Sequence, residues 1–230
     1  MIRLLHIDSS ARAGRSGEQA HGSHTRRLSA RFASRWQAQR PQDAVVHRDL
    51  AASPPAPVTG EWVHAAFTAP ERREAWMHEV LSQSDRLVDE LTSADLIVIG
   101  VPMYNFGMPS TLKAWIDNVV RVGRTFGFDR QRSGEPYWPL LAGQGKRAVL
   151  LGARGDYGYD PGERLAAHNH VEAGVITPLR YIGIDRFERV AIEYDEFSDE
   201  RLQASIVAAE AMVDALVDRL AAELGQPATA

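Results

Sequence analysis

The stretch Leu96–Val101 reads Leu-Ile-Val-Ile-Gly-Val, an apolar row with no polar break. Such a row suits a strand covered on both faces, and strands of that kind belong to parallel sheets. Parallel neighbours cannot be joined by a tight hairpin; each needs a crossover, usually a helix. The chain must therefore show helical patterns between its extended runs, and it does. Ile2–Ile7 is a short strand that runs into a polar, Gly-rich loop. Ser23–Gln39 follows with helical spacing of Leu28, Phe32 and Trp36. Val45–His47 is a weak second strand. Ala51–Gly60, with Pro54, Pro55 and Pro57, is expected to be a loop.

Pro70–Thr92 reads as one long helix, with Trp76, Met77, Val80, Leu81, Leu87, Val88 and Leu91 at helical spacing. Pro109 suits the first helical position. Leu112, Trp115, Ile116, Val119 and Val120 then mark the apolar stripe of that helix. Arg147–Gly152 is a fourth strand and Phe187–Glu193 a fifth. Between them, Gly162–Ile182 holds helical structure in which Gly174 and Pro178 predict a break or a late start. A last helix begins near Ser198 and carries Leu202, Ile206, Val213, Leu216, Val217, Leu220 and Leu224. Strands alternating with helices imply βαβ units and a three-layer α/β fold.

A length of 230 residues then fits one domain over residues 1–224, with Gly225–Ala230 as a flexible tail. No fixed-period repeat is present. The chain holds no cysteine, which removes disulfides, thiolate metal sites and a cysteine nucleophile. Its net charge of −4 argues against nucleic-acid binding, whose footprint is basic. Asp8 interrupts the first apolar run, so no signal-peptide core is expected there, and no stretch has the length of a membrane span. The expectation is a cytoplasmic protein.

In open α/β sheets, ligands bind outside the carboxyl ends of the strands. After the first strand, Ser9 to Gly17 and then Gly22-Ser23-His24-Thr25 offer hydroxyls and a helix N-terminus. These can hold a phosphate, although the same serine also serves as a simple helix cap. After the third strand comes Pro102-Met103-Tyr104-Asn105-Phe106-Gly107. Large apolar side chains in a loop can cover a flat aromatic ligand; they can equally plug the sheet end. After the fourth strand, Ala153-Arg154-Gly155-Asp156 offers close backbone approach at Gly155. Arg154 there is either a cation beside an electron-rich ring or a solvated side chain. His168 and His170 do not share a helix face and supply two ligands where catalytic zinc takes three, so no metal site is expected.

Pro102-Met103-Tyr104-Asn105-Phe106 followed by Pro109-Ser110-Thr111-Leu112-Lys113-Ala114-Trp115-Ile116-Asp117 resembles the FMN-dependent NADH-azoreductase family, which also has NADH:quinone oxidoreductase activity. Ser23 to Leu28 is similar to that family's first helix start, and Asp49-Leu50 to its Asp-Leu after the second strand. The likeness runs over most of residues 1–220. It implies a flavodoxin-like fold with a five-stranded parallel sheet, a homodimer, and one FMN per subunit at the interface. The phosphate would meet Ser10, Ser23, His24 and Thr25. Pro102, Met103, Tyr104, Asn105 and Phe106 would hold the ring system, and Ala153, Arg154, Gly155 and Asp156 a second ring-contacting loop. NADH or NADPH would be the co-substrate, and a quinone or azo compound the acceptor, in two-electron ping-pong turnover.

Two positions depart from the family pattern. The loop between Ser10 and Ser23 is longer than usual, so Ser16 or Ser23 could anchor the phosphate; Ser23 is preferred because it opens the helix. Ala153 and Asp156 stand where the family commonly has Ser and Gly, and a carboxylate there would disfavour an anionic reduced ring. Tyr104, Tyr157, His168 and His170 are candidate proton donors. The alternative to an enzyme is a non-enzymatic, flavodoxin-like electron carrier or redox-responsive FMN-binding protein. A serine hydrolase ranks lower, since no Gly-x-Ser-x-Gly elbow surrounds Ser10 or Ser23.

Overall fold

A computed structural model describes residues 1–225. Five parallel strands form the main sheet: β1 (Arg3–Asp8), β2 (Ala44–Asp49), β3 (Leu96–Pro102), β6 (Arg147–Ala153) and β7 (Arg186–Ile192). Their order is β2-β1-β3-β6-β7, the flavodoxin-like arrangement, with its topological switch point between β1 and β3. The remaining strands, β4 (Phe126–Phe128) and β5 (Tyr137–Pro139), make a small antiparallel hairpin between β3 and β6. No helix among the described residues is long and apolar enough to cross a membrane.

The apolar row of β3 is buried along its whole length, and its side chains alternate between two cores. Ile97, Ile99 and Val101 join Leu5 and Ile7 under α3 (Ala75–Ser93), α4 (Ser110–Val119) and α5 (His170–Tyr181). Leu96 and Val98 join Leu4 on the other face, under α1 (His24–Gln39) and α6 (Glu200–Gly225). Phe32 and Trp36 from α1 are fully buried there; truncating either to Ala would cost about 3–5 kcal/mol. Along the solvent side of that layer, Arg27, Arg31 and Arg35 pair with Glu210, Asp214 and Asp218 of α6.

Two expectations are corrected, and a third is met in one of its two forms. The segment ending at Gly60 is not all loop: α2 (Gly60–Phe67) begins there, capped by Thr59, whose hydroxyl accepts the Trp62 N–H at 3.2 Å. The long helix does not start at Pro70. Pro70–Arg72 closes only a 3-10 turn, and Arg73 stays extended because its Nε donates to the carbonyls of Ala65 and Thr68, at 3.1 and 3.0 Å. That ties the turn to the end of α2, and α3 begins afresh at Ala75. In α5 the late start occurs, after Asn169 caps Val171 N–H, but the break does not. A proline ring clashes with the carbonyl four residues back. The helix nevertheless runs through Pro178 to Tyr181, with the bare Cα of Gly174 packed against Met108. The expected tail Gly225–Ala230 lies, beyond its first residue, outside the described residues.

Gly183 links α5 to β7 with φ of +107°, and a Cβ there would stand 2.3 Å from the Ala142 backbone nitrogen. We expect Gly183→Ala to destabilise the fold by about 1–3 kcal/mol through backbone strain alone. Urea unfolding measures this, and an unchanged midpoint would contradict the packing described for this turn.

Candidate functional site

The carboxyl ends of β1, β3, β6 and β7 converge on two adjoining cavities, of about 340 and 380 Å³. Met103, Asn105, Gly155 and Glu196 line both, so the two form one continuous cleft.

The first part is polar. It is lined by Ser10, Arg12, Ser23 and His24 on one side, and by Pro102, Met103, Tyr104 and Ala153 on the other. Ser23 caps α1: its Oγ accepts the Arg26 N–H at 3.3 Å and shares a 2.9 Å hydrogen bond with Thr25 Oγ1. The loop reaches this cap because it folds back on itself. Ser16 N–H donates to the Ser23 carbonyl, and Ser23 N–H to the Gly14 carbonyl. A Cβ on Gly22 would lie 2.2 Å from the backbone of Arg15, so only glycine permits this approach. Of the two candidate anchors, Ser23 faces the cleft. Ser16 is instead bonded to His24 Nδ1 at 2.8 Å, while His24 Nε2 meets Asp195 Oδ1 at 3.1 Å. That hydrogen bond holds the Asp195 carboxyl below the usual carboxylate range, against the opposing effect of its burial.

The ring-sized second part is lined by Met103, Phe106, Asp156, Tyr159, Leu165 and His168 among others. Its floor is a tight turn. Tyr104 and Gly107 exchange both backbone hydrogen bonds, at 2.8 and 3.0 Å, and the central residues Asn105 and Phe106 have φ of +49° and +67°. Positive φ at both centres marks a type I′ turn. For Phe this region is strained, and such strain collects at functional sites. The Phe106 carbonyl accepts the His170 N–H at 3.0 Å, which anchors the turn to the start of α5. Tyr104 Oη reaches back to Ser10 Oγ at 3.4 Å and accepts the Ala11 N–H at 3.2 Å.

The cleft thus gathers Ser10, Ser23, His24, Pro102, Met103, Tyr104, Asn105, Phe106, Ala153, Gly155 and Asp156. Thr25 and Arg154 are not on its lining. Thr25 is fully buried behind Ser23. Arg154 is neither solvated nor facing a ligand: it is 4% exposed, and its guanidinium meets Glu172 at 2.6 Å and Glu193 and Asp160 at 3.0 Å. Burial works against its charge, but these carboxylates outweigh burial and hold it firmly protonated. Asp156 reaches the lining, but its Oδ1 accepts from Arg164 at 2.5 Å and from Tyr157 N–H at 2.8 Å. Its charge is therefore largely balanced.

Arg12, Asp195 and Glu196 are lining residues that the sequence reading did not single out. The last two follow β7, and the rule that ligands bind beyond strand ends applied to that loop as well. Tyr137 and Trp138 of the β4–β5 hairpin line neither part; Tyr137 packs on Phe128. Tyr157 stacks on Tyr194 at 4.7 Å between ring centroids.

Fold and cleft define a flavodoxin-like protein whose ligand site lies at the switch point and joins a polar helix start to an aromatic floor. The sequence matches the family described as "Flavodoxin-like fold" over residues 3–216. It is 38% identical over 220 residues to the FMN-dependent NADH:quinone oxidoreductase 2 of Idiomarina loihiensis, covering 96% of this chain and 91% of that protein. It is 42% identical over 225 residues to the FMN-dependent NADH:quinone oxidoreductase of Opitutus terrae, covering 96% and 100%. In fold it is similar to the FMN-dependent NADH-azoreductase from Bacillus anthracis str. Ames Ancestor in complex with FMN, with a TM-score of 0.81, 18% identity, and coverage of 96% and 100%. The chain belongs to this flavodoxin-like family, the one that includes the FMN-dependent NADH:quinone oxidoreductases.

Proposed function

We propose that this chain is an FMN-dependent oxidoreductase that uses NADH or NADPH to reduce quinones and azo compounds. The observation that carries the reading is the continuity of the cleft: hydroxyls, Arg12, His24 and a helix N-terminus at one end, and Met103, Asn105 and Phe106 at the other. That donor set fits the cofactor. The helix start and Arg12 suit a phosphate, and the flat, apolar turn suits a ring system whose polar edge the Asn105 amide can meet. Relatives with FMN-dependent NADH:quinone or NAD(P)H:quinone oxidoreductase in their names support the same assignment.

When bound, the flavin supplies two-electron transfer, and the protein supplies binding and orientation. Ser10 and Ser23 would donate hydroxyl hydrogens to the phosphate, with Arg12 balancing its charge. Asp195 lies on the same lining, and its carboxylate is engaged by His24 at 3.1 Å and by Arg12 at 3.5 Å. Met103 and Phe106 would exclude water beneath the ring. His168, beside Phe106 with ring centroids 5.9 Å apart, is placed to hold a proton for the acceptor. The reading extends to ping-pong turnover, to a homodimer, and to the cytoplasm. Half-exposed Phe106, with Tyr104 beside it, gives the mouth an apolar rim that a second subunit would cover.

Anaerobic NADH or NADPH is expected to bleach the flavin absorbance of the purified protein, and benzoquinone to restore it. Flavin that is retained yet reduced by neither nicotinamide would overturn the enzyme in favour of an electron carrier. A one-subunit mass by sedimentation would overturn the dimer.

A further inference from the structure

One cluster of chemistry-bearing side chains lies outside the cleft. His6 and Asp8 are two apart on β1, so both point to the α1 side of the sheet. The parallel register sets His47 of β2 beside His6, and their rings lie 4.5 Å apart between centroids. His47 Nε2 is 2.9 Å from Asp8 Oδ2, and His6 Nε2 is 3.4 Å from the same oxygen. All three ligand atoms fall within 4.8 Å of one another. His6 is buried, and its Nε2 has no hydrogen-bond partner. A buried imidazole nitrogen aimed at a carboxylate without bonding to it is a group that lacks its partner.

We propose that His6, Asp8 and His47 bind one divalent transition-metal ion of the zinc class. Two imidazoles and one carboxylate are ligands for borderline-soft ions, whereas calcium and magnesium take oxygen sets. Tetrahedral ligands at about 2.0–2.1 Å from an ion stand roughly 3.3 Å apart. The separations of 2.9 and 3.4 Å from Asp8 Oδ2 bracket that value, and the imidazole nitrogens lie within 4.8 Å of each other, so an ion would draw the two rings together. Ser29 Oγ donates to the other Asp8 oxygen, Oδ1, at 2.7 Å; this outer hydrogen bond fixes the carboxylate and leaves Oδ2 for the metal. Arg26 Nη1 stands 3.6 Å from Oδ2, but its short bonds go to Asp49, at 2.7 and 2.8 Å. Asp49 balances the Arg26 charge, which leaves the Asp8 carboxylate facing the two imidazoles. His47 is half exposed and opens on a cavity of about 320 Å³ lined by Gly14, Arg15, Ala30 and Gln37 among others. The cavity provides an entry path and a fourth, open coordination position.

The site was not visible in the sequence because His6 and His47 are 41 residues apart, and only strand register joins them. It does not depend on the flavin reading. The test is calorimetric titration of tag-free, EDTA-treated protein with Zn²⁺, with Co²⁺ as a spectroscopic probe. One equivalent of Zn²⁺ and the intense visible bands of tetrahedral Co²⁺ are expected. His47→Gln, a change at a half-exposed position, should weaken binding at least as much as the loss of an outer-shell partner, roughly 10–100-fold. His78→Gln, on the exposed side of α3, should leave binding unchanged. Absence of saturable Zn²⁺ binding, equal affinity in His47→Gln, or a weak octahedral Co²⁺ spectrum would overturn the site.

Discussion

Ser23→Asp is expected to yield a folded, colourless protein. Aspartate caps helix N-termini as well as serine does, so α1 keeps its first turn and the core beneath it. What changes is the charge inside the polar end of the cleft, where Ser23 is 3% exposed. A second anion about 4–5 Å from a phosphate costs roughly 3–4 kcal/mol at the effective dielectric of such sites. That corresponds to about 100–1000-fold in Kd for FMN. Asn105→Ala serves as a milder companion: it removes the amide at the ring end, and one or two lost hydrogen bonds are worth about tenfold. The flavin-to-protein absorbance ratio after purification and a fluorescence titration with added FMN measure both. Normal occupancy in Ser23→Asp, with an unaltered melting temperature, would move the phosphate elsewhere in the cleft.

Arg154→Met should cost about 3–5 kcal/mol of folding stability, the usual penalty for removing one partner from a buried ion cluster. The methionine matches much of the volume but leaves Glu172 and Glu193, which are 12% and 20% exposed, facing each other without a cation. Glu193 also accepts the backbone N–H groups of Gly158 and Tyr159, and Glu172 is bonded to Asn169, the cap of α5. The loss should therefore reach the loop that walls the second part of the cleft. It should be largest at neutral pH and shrink below about pH 4, where carboxylates take up protons. Equal loss at pH 7 and about pH 3 by urea titration would mean that packing, not charge, is what Arg154 contributes.

The fold was legible where periodicity and burial agree. The row at Leu96–Val101 announced a doubly covered strand, and the stripes of α1, α4 and α6 followed from spacing. It was illegible where a distant partner decides. Arg73 interrupts the helix expected from Pro70 by reaching carbonyls of α2, a contact that no local pattern reveals. Arg154 illustrates the same limit in the cleft. Its position after a strand suggested a ligand contact, but Glu172 and Glu193, 18 and 39 residues further on, claim its charge. The Met103–Phe106 block was readable because its residue types are unusual for a loop. Asp195 and Glu196 are ordinary loop acids, and only the convergence of β7 with the other strand ends brings them to the cleft.

The place of β1 in the sheet has a consequence for how the protein is made. Its inner neighbour, β3, pairs Leu4 with Leu96, and the layer on its α1 side is completed by α6. A chain emerging from the ribosome exposes Leu4, Leu28, Phe32 and Trp36 long before either partner exists. β2 is available early, but it contributes a half-polar edge strand and cannot cover that surface. Pairings so distant in sequence slow folding, because loop closure must precede the contacts that reward it. Until α6 is in place, the apolar side of β1 and α1 lacks its cover, so the first third of the chain gains a closed core only when residues beyond 200 have folded onto it.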